Sequence, residues 1–300
     1  MLLPIKYIVS PGPGTVPYPY ATTVEDGEVI HLKEISTNVN DLRVSPPGQP
    51  TLMHSGFEVL WESPSKISYD EFGIIIGSDE RFEVTERYRT ETSEQLKSHL
   101  GASRVVVWNH HIRRSGIPPE TEPDHPNTTL PASRAHVDQS DKRAREVLGH
   151  ELGFKTSEKF REWVARGGRA ALVNIWRPLK GPVRFAPLLV CDGRSLRPTE
   201  LKRCHDYFGE HFSLEYHESQ RWYLVSDQMP SEPILILCYD SAADPVLNPE
   251  LPLDYQRAAC CPHTASVSPK SGDKTETETR ESIEVRTYVF WDPPGHQKTQ

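Results

Sequence analysis

The chain has no C-x-x-C pair, no long apolar run and no excess of basic residues, and each lack removes a class of function. Its five cysteines (Cys191, Cys204, Cys238, Cys260 and Cys261) are an odd number without paired spacing. Neither a zinc knuckle nor a disulfide framework is expected from them, and a reducing cytoplasmic compartment fits. The apolar run at the N-terminus is short and is broken by Pro4, Lys6 and Pro11, which suits neither a signal peptide nor a membrane span. The sequon at Asn127-Thr128-Thr129 therefore reads as chance. A formal net charge of −8 gives no general basic footprint for nucleic acid. There is no internal repeat, and no linker long enough to divide the 300 residues, so one domain is expected.

What is present is proline and β-branched sequence. The 27 prolines scatter along the chain, which favours a loop-rich β protein over a helical bundle. Residues 1–50, rich in Pro, Gly, Thr and Tyr, read as an extended arm with one possible strand at 28–32. A helix is expected from Tyr69 into the 70s or over 84–99, stopped by Gly101. The run 104–112 (RVVVWNHHI) is a good strand, and 118–131 is a proline loop. Ser140-Asp141 and Thr156/Ser157 are placed to cap two helices, making a helical insert at 140–168. Strands are then expected at 134–137, 170–176, 185–191, 221–226, 234–239, 263–267 and 282–291. Many short strands with turn punctuation argue for a sandwich or barrel. The fold expected is mainly β with flanking helices, a double-stranded β-helix or jelly roll, with its core over 104–291. The polar run 273–280 (DKTETETR) reads as a solvated hairpin.

One constellation carries chemistry. Strand side chains repeat their facing every two residues, so His136 and Asp138 can point the same way. His263, in the strand-like segment CPHTASV, can supply a third donor from a distant antiparallel strand. Two imidazoles and one carboxylate leave open positions on a metal, the arrangement of non-haem Fe(II) oxygenases. Arg280-x-Ser282 follows, where a guanidinium fork can hold a carboxylate. A triplet such as His136-Val137-Asp138 is weak evidence alone; its order with His263 and Arg280-x-Ser282 is what raises it.

With those residues in view, the chain resembles the Fe(II)/2-oxoglutarate-dependent oxygenase superfamily. More closely, it resembles the fungal gibberellin desaturase-like, cephem methoxylase-related hydroxylases and desaturases. The stretches RVVVWNHHIRRS, AHVDQS, NIWRPLKGPVRFAPLLVCDGRSL, RWYLVSDQMPSEPILILCYDS and RESIEVRTYVFW carry the closer likeness, over residues 54–291. The resemblance implies Fe(II), 2-oxoglutarate as cosubstrate and O2. It makes His136, Asp138 and His263 the iron ligands, and Arg280 and Ser282 the hold on the distal carboxylate of 2-oxoglutarate. The spacing from His263 to Arg280 is longer than usual in the family, which leaves Arg286, on the same strand face, as a rival anchor. The implied reaction is hydrogen abstraction from an unactivated C–H bond of a small secondary metabolite, ending in hydroxylation, desaturation or cyclisation.

Further residues are weaker candidates. Asn174 and Trp176 share a strand face and can line the site, Asn174 against cosubstrate and Trp176 against substrate; the alternative is a core Trp with a satisfied indole. Asn109, His111 and Arg113 alternate along one strand and can meet the substrate; otherwise they are a surface strand end. His205, His211 and His217 fit no metal motif and read as surface or loop residues. Cys260 and Cys261 can line the site. Two other functions compete: a cupin-type metal-dependent isomerase or lyase working without 2-oxoglutarate, and a non-catalytic jelly-roll binding protein. A small-molecule partner is expected, with no nucleic acid and no membrane, and homodimerisation is left open.

Overall fold

The computed structural model describes residues 1–17, 23–24, 29–44, 50–72, 79–114, 128–129, 131–206, 209–251, 260–266 and 280–295. Most of the 118–131 proline loop and nearly all of the DKTETETR run lie outside these residues. Among the described residues the strands form one ten-stranded and one six-stranded sheet. A single apolar core joins Leu172, Trp176 and Ile234 of the smaller sheet to Leu189, Val190 and Trp222 of the larger, so the two sheets pack face to face. The fold is mainly β with flanking helices, as the density of short strands implies.

The smaller sheet shows how sequence periodicity builds two surfaces. Its central strands are Arg169–Pro178 and Glu281–Trp291, paired antiparallel with Val285 opposite Ile175 and Arg286 opposite Asn174. Ala171, Val173 and Ile175 point outward with Ile283, Val285 and Val289, where they pack with Val84, Tyr88 and Leu96. Those three belong to the helix Asp79–Leu100, which covers this outer face. Gly101 ends that helix in the left-handed region, φ 61°, the conformation for which glycine carries no Cβ penalty. Alternate residues Leu172, Asn174 and Trp176 therefore face the larger sheet. Arg177 points outward and is buried, but it is satisfied by Tyr88 Oη at 3.0 Å and by the carbonyls of Ser63 and Pro230, both at 2.6 Å. It is a structural arginine.

In the larger sheet, His136–Val137 sits between the strands Gly209–Leu214 and His263–Ala265. The helical insert forms as its caps dictate. Ser140 Oγ accepts from the amide of Arg143 at 3.1 Å to start Asp141–Glu151, and Thr156 Oγ1 accepts from that of Lys159 at 3.4 Å to start Ser157–Ala165. Three of the longer strands lie outside the expected set, and a fourth, His31–Asp41, overlaps the strand expected at 28–32 only at its first two residues. Leu2–Val9 pairs with His31–Asp41, which in turn runs parallel to Trp222–Leu224. Leu201–Asp206 and Gly209–Leu214 form a hairpin.

Candidate metal centre

His136 and His263 are directly opposed across an antiparallel strand pair, and Asp138 follows two residues after His136. Their rings lie 4.6 Å apart between centroids. Nε2 of His136 is 3.4 Å and Nε2 of His263 4.0 Å from Oδ1 of Asp138. One donor atom from each residue falls within 4.8 Å of the other two.

The protonation pattern fits a cation. Nδ1 of His136 donates to the carbonyl of Arg134 at 2.6 Å, and Nδ1 of His263 donates to that of Cys261 at 3.1 Å. Each proton is thereby held on the outer nitrogen, so each Nε2 presents a lone pair inward. Burial, and then the neighbouring His136, push the pKa of His263 down, favouring its neutral form. Burial would raise the pKa of Asp138, but the charge of Arg286 beside it outweighs burial and holds the carboxyl well below its usual range. Two inward lone pairs and an ionised carboxylate converge on one point, as divalent-metal sites require.

Beside this cluster lies a pocket lined by Arg113, His136, Trp176, His263, Arg280 and Glu284, among others. Arg280 is 3% exposed. Its guanidinium stands 5.2 Å from the Trp176 ring centroid, and Nη1 donates to the carbonyl of Ala186 at 2.5 Å. Ala186 itself sits in the left-handed region, φ 45°, a local cost that persists where surrounding structure imposes it. Burial, then the nearby Arg113, lower the Arg280 pKa to about 9. Two residues on, the Ser282 hydroxyl is buried and, among the described residues, has no hydrogen-bond partner, an orphan that an acceptor ligand would satisfy.

Arg286 does something else. Its Nη2 lies 3.1 Å from Oδ2 of Asp138 and its Nε donates to Glu284 at 3.0 Å. Asn174 donates to Oδ2 of Asp138 at 2.7 Å. Cross-strand register puts Arg113 opposite Ser282, His111 opposite Glu284 and Asn109 opposite Arg286, so all three share the inner face. Asn109 and His111 are also mutually hydrogen-bonded at 3.2 Å, and burial followed by Arg286 lowers His111 to about 4, keeping it neutral.

The other histidines stay apart. His205 is half-exposed beside Glu210 and His217 lies against Ser219. His211 departs from the expected surface position: it is buried in a strand, against Arg134 at 2.9 Å. Cys260 and Cys261 are buried free thiols in the apolar core, and among the described residues neither joins the donor group. Glu284 joins the site without a role expected from sequence. Its alternation with Ser282 and Arg286 is the one signal that points to it.

Residues 5–290 match the family model described as an oxidoreductase/YMDC permease-like domain. The chain is 28% identical over 277 residues to the hydroxylase/desaturase efuI of Hormonema carpetanum, covering 85% of this chain and 83% of that protein. It is 26% identical over 295 residues to the alpha-ketoglutarate-dependent dioxygenase tstK of Talaromyces stipitatus, covering 96% of each. The fold superimposes on an iron and alpha-ketoglutarate-dependent endoperoxidase, NvfI, with a TM-score of 0.69 at 22% identity, over 97% of this chain and 98% of that one.

Proposed function

The chain belongs to the oxidoreductase/YMDC permease-like domain family and to the fungal Fe(II)/2-oxoglutarate-dependent oxygenase group, and from that premise we propose that His136, Asp138 and His263 hold its iron while Arg280 and Ser282 hold the distal carboxylate of 2-oxoglutarate. The observation that carries the reading is the convergence of Nε2 of His136, Oδ1 of Asp138 and Nε2 of His263, with both Nδ1 protons tied back to carbonyls. Bound there with 2-oxoglutarate and O2, the iron supplies the oxidising power to take a hydrogen atom from an unactivated C–H bond.

The protein's own residues orient and exclude. Arg280 presents a buried cation and Ser282 a buried hydroxyl to the cosubstrate. Trp176, lying under the guanidinium, keeps water from that end. Arg286 is already held by Asp138 and Glu284, which favours Arg280 as the anchor. Asn109 and His111 lie on the same inner face and are assigned to the substrate, with Arg113 closer to the cosubstrate end because it shares the pocket with Arg280. The substrate is a small secondary metabolite, and hydroxylation, desaturation and cyclisation all begin with the same abstraction. Among the described residues no helix is long and apolar enough to cross a membrane.

The test is succinate release from 2-oxoglutarate, dependent on both O2 and Fe(II), and lost in His136→Ala and Asp138→Ala. Full turnover by a metal-free preparation would contradict the reading.

A further inference from the structure

The two oxygens of Asp138 live in different surroundings. Oδ1 faces the histidines, whereas Oδ2 is gripped from the opposite sheet by Asn174 Nδ2 at 2.7 Å and Arg286 Nη2 at 3.1 Å. The two gripping residues are direct cross-strand partners, so backbone register fixes their separation. Arg286 is steadied in turn by Glu284, at 3.0 Å from its Nε. A bulge lies beside it: Arg286 pairs with Asn109, but the next residue, Thr287, pairs with Val107. Bulges of this kind re-aim side chains next to functional sites.

We propose that Asn174 and Arg286, steadied by Glu284, are positioning residues that hold Asp138 by Oδ2 so that Oδ1 stays turned toward Nε2 of His136 and of His263. The inference rests on the assignment of His136, Asp138 and His263 as the ligand set. With Oδ2 committed to two donors from a rigid sheet, the carboxylate cannot turn away from the histidines without breaking both hydrogen bonds in a buried site. The same geometry removes Arg286 from cosubstrate binding, since two carboxylates already engage its guanidinium.

Anaerobic titration of Mn(II) into the whole chain, followed by titration of 2-oxoglutarate at saturating Mn(II), separates positioning from direct binding of cosubstrate. In Asn174→Ala the Mn(II) dissociation constant is expected to rise about 10- to 100-fold, the usual effect of losing an outer-shell partner; in Arg286→Gln, which also removes a positive charge beside the cation, a smaller rise is expected. Arg286→Lys should recover part of that loss, and 2-oxoglutarate affinity of the metal-loaded variants should stay near wild type. Wild-type Mn(II) affinity in both variants, with or without weakened 2-oxoglutarate binding, would overturn the proposal. A wild-type chain that binds no Mn(II) would instead overturn the ligand assignment beneath it. Arg286→Gln leaves two buried carboxylates facing each other, so its folding is checked by thermal unfolding. Should it fail to fold, Asn174→Ala, which removes one neutral donor, decides the matter.

Discussion

Replacing Arg280 by Gln should damage cosubstrate binding while leaving the metal site intact. The guanidinium is 3% exposed, and its Nη1 donates to the neutral carbonyl of Ala186. Burial and Arg113 together depress its pKa to about 9, against the opposing pull of Glu284. Folding has therefore already removed this cation from water, and an arriving carboxylate collects the interaction without desolvating the arginine. Charge-assisted hydrogen bonds contribute about 1.5–3 kcal/mol each, so removing two of them costs about 3 kcal/mol at the lower end of that range. That corresponds to a rise in the 2-oxoglutarate Kd on the order of 100-fold. The assay is calorimetric titration of Mn(II)-loaded protein under nitrogen, for wild type and variant. A 2-oxo acid lacking the second carboxylate serves as the control ligand, because it should bind both proteins alike. Equal losses for the two ligands would show that Arg280 does not meet the distal carboxylate, and an unchanged Kd for 2-oxoglutarate would move the anchor elsewhere.

Two further predictions concern stability. The Asp244 side chain is wholly buried, with Arg145 at 2.5 Å and Tyr239 Oη at 2.6 Å; Asp244→Ala leaves a half-buried arginine short of its partner and should cost about 3–5 kcal/mol in urea unfolding. A loss under about 1 kcal/mol, the range of exposed pairs, would contradict it. For Glu210, burial raises the pKa, but the hydrogen bonds from Ser140 and Arg203 outweigh it and hold the carboxyl below its usual range. A depressed folded-state pKa gives stability that is present above the unfolded value and is lost as pH falls through the folded one. Glu210→Gln should therefore lose less Tm than wild type on acidification from about pH 5 to about pH 3, and parallel losses would refute the assignment.

The sequence is most legible where side-chain chemistry and strand period coincide. His136-Val137-Asp138, Asn174-Ile175-Trp176 and Ser282 through Arg286 each place polar groups two residues apart, and each lies on the inner face. Ser140 and Thr156 announce their helices because a hydroxyl before a charged, periodic run satisfies the first free amides. Less legible are strands whose pattern is broken locally and rescued by context. Leu2–Val9 contains Pro4 and Lys6, and it survives at the border of its sheet, where a missing amide is tolerated. In His31–Asp41 only Thr37 and Val39 are buried, between exposed Ser36, Asn38 and Asn40, so the alternation is too short to stand out. The anchor question, Arg280 against Arg286, lies beyond sequence for another reason. Both arginines have the same spacing logic, and only the other sheet shows that Asp138 has claimed one of them.

The charges around the pocket also bear on the order in which ligands favour each other. Arg113, Arg280 and Arg286 contribute three positive charges, and Glu284 and Asp138 two negative ones, leaving a formal excess of one positive charge among these five groups. A divalent cation among the three donors raises that excess, and a dicarboxylate restores it. Like-charge repulsion between the metal and Arg280 is thus relieved by 2-oxoglutarate, while the metal strengthens the field that the dianion meets. Coupling of this kind is reciprocal by thermodynamic necessity. The factor by which Mn(II) tightens 2-oxoglutarate must equal the factor by which 2-oxoglutarate tightens Mn(II). On the proposed assignment Arg280 faces the dianion, so that shared factor should shrink in Arg280→Gln, while Mn(II) alone, relieved of the repulsion, should bind somewhat more tightly.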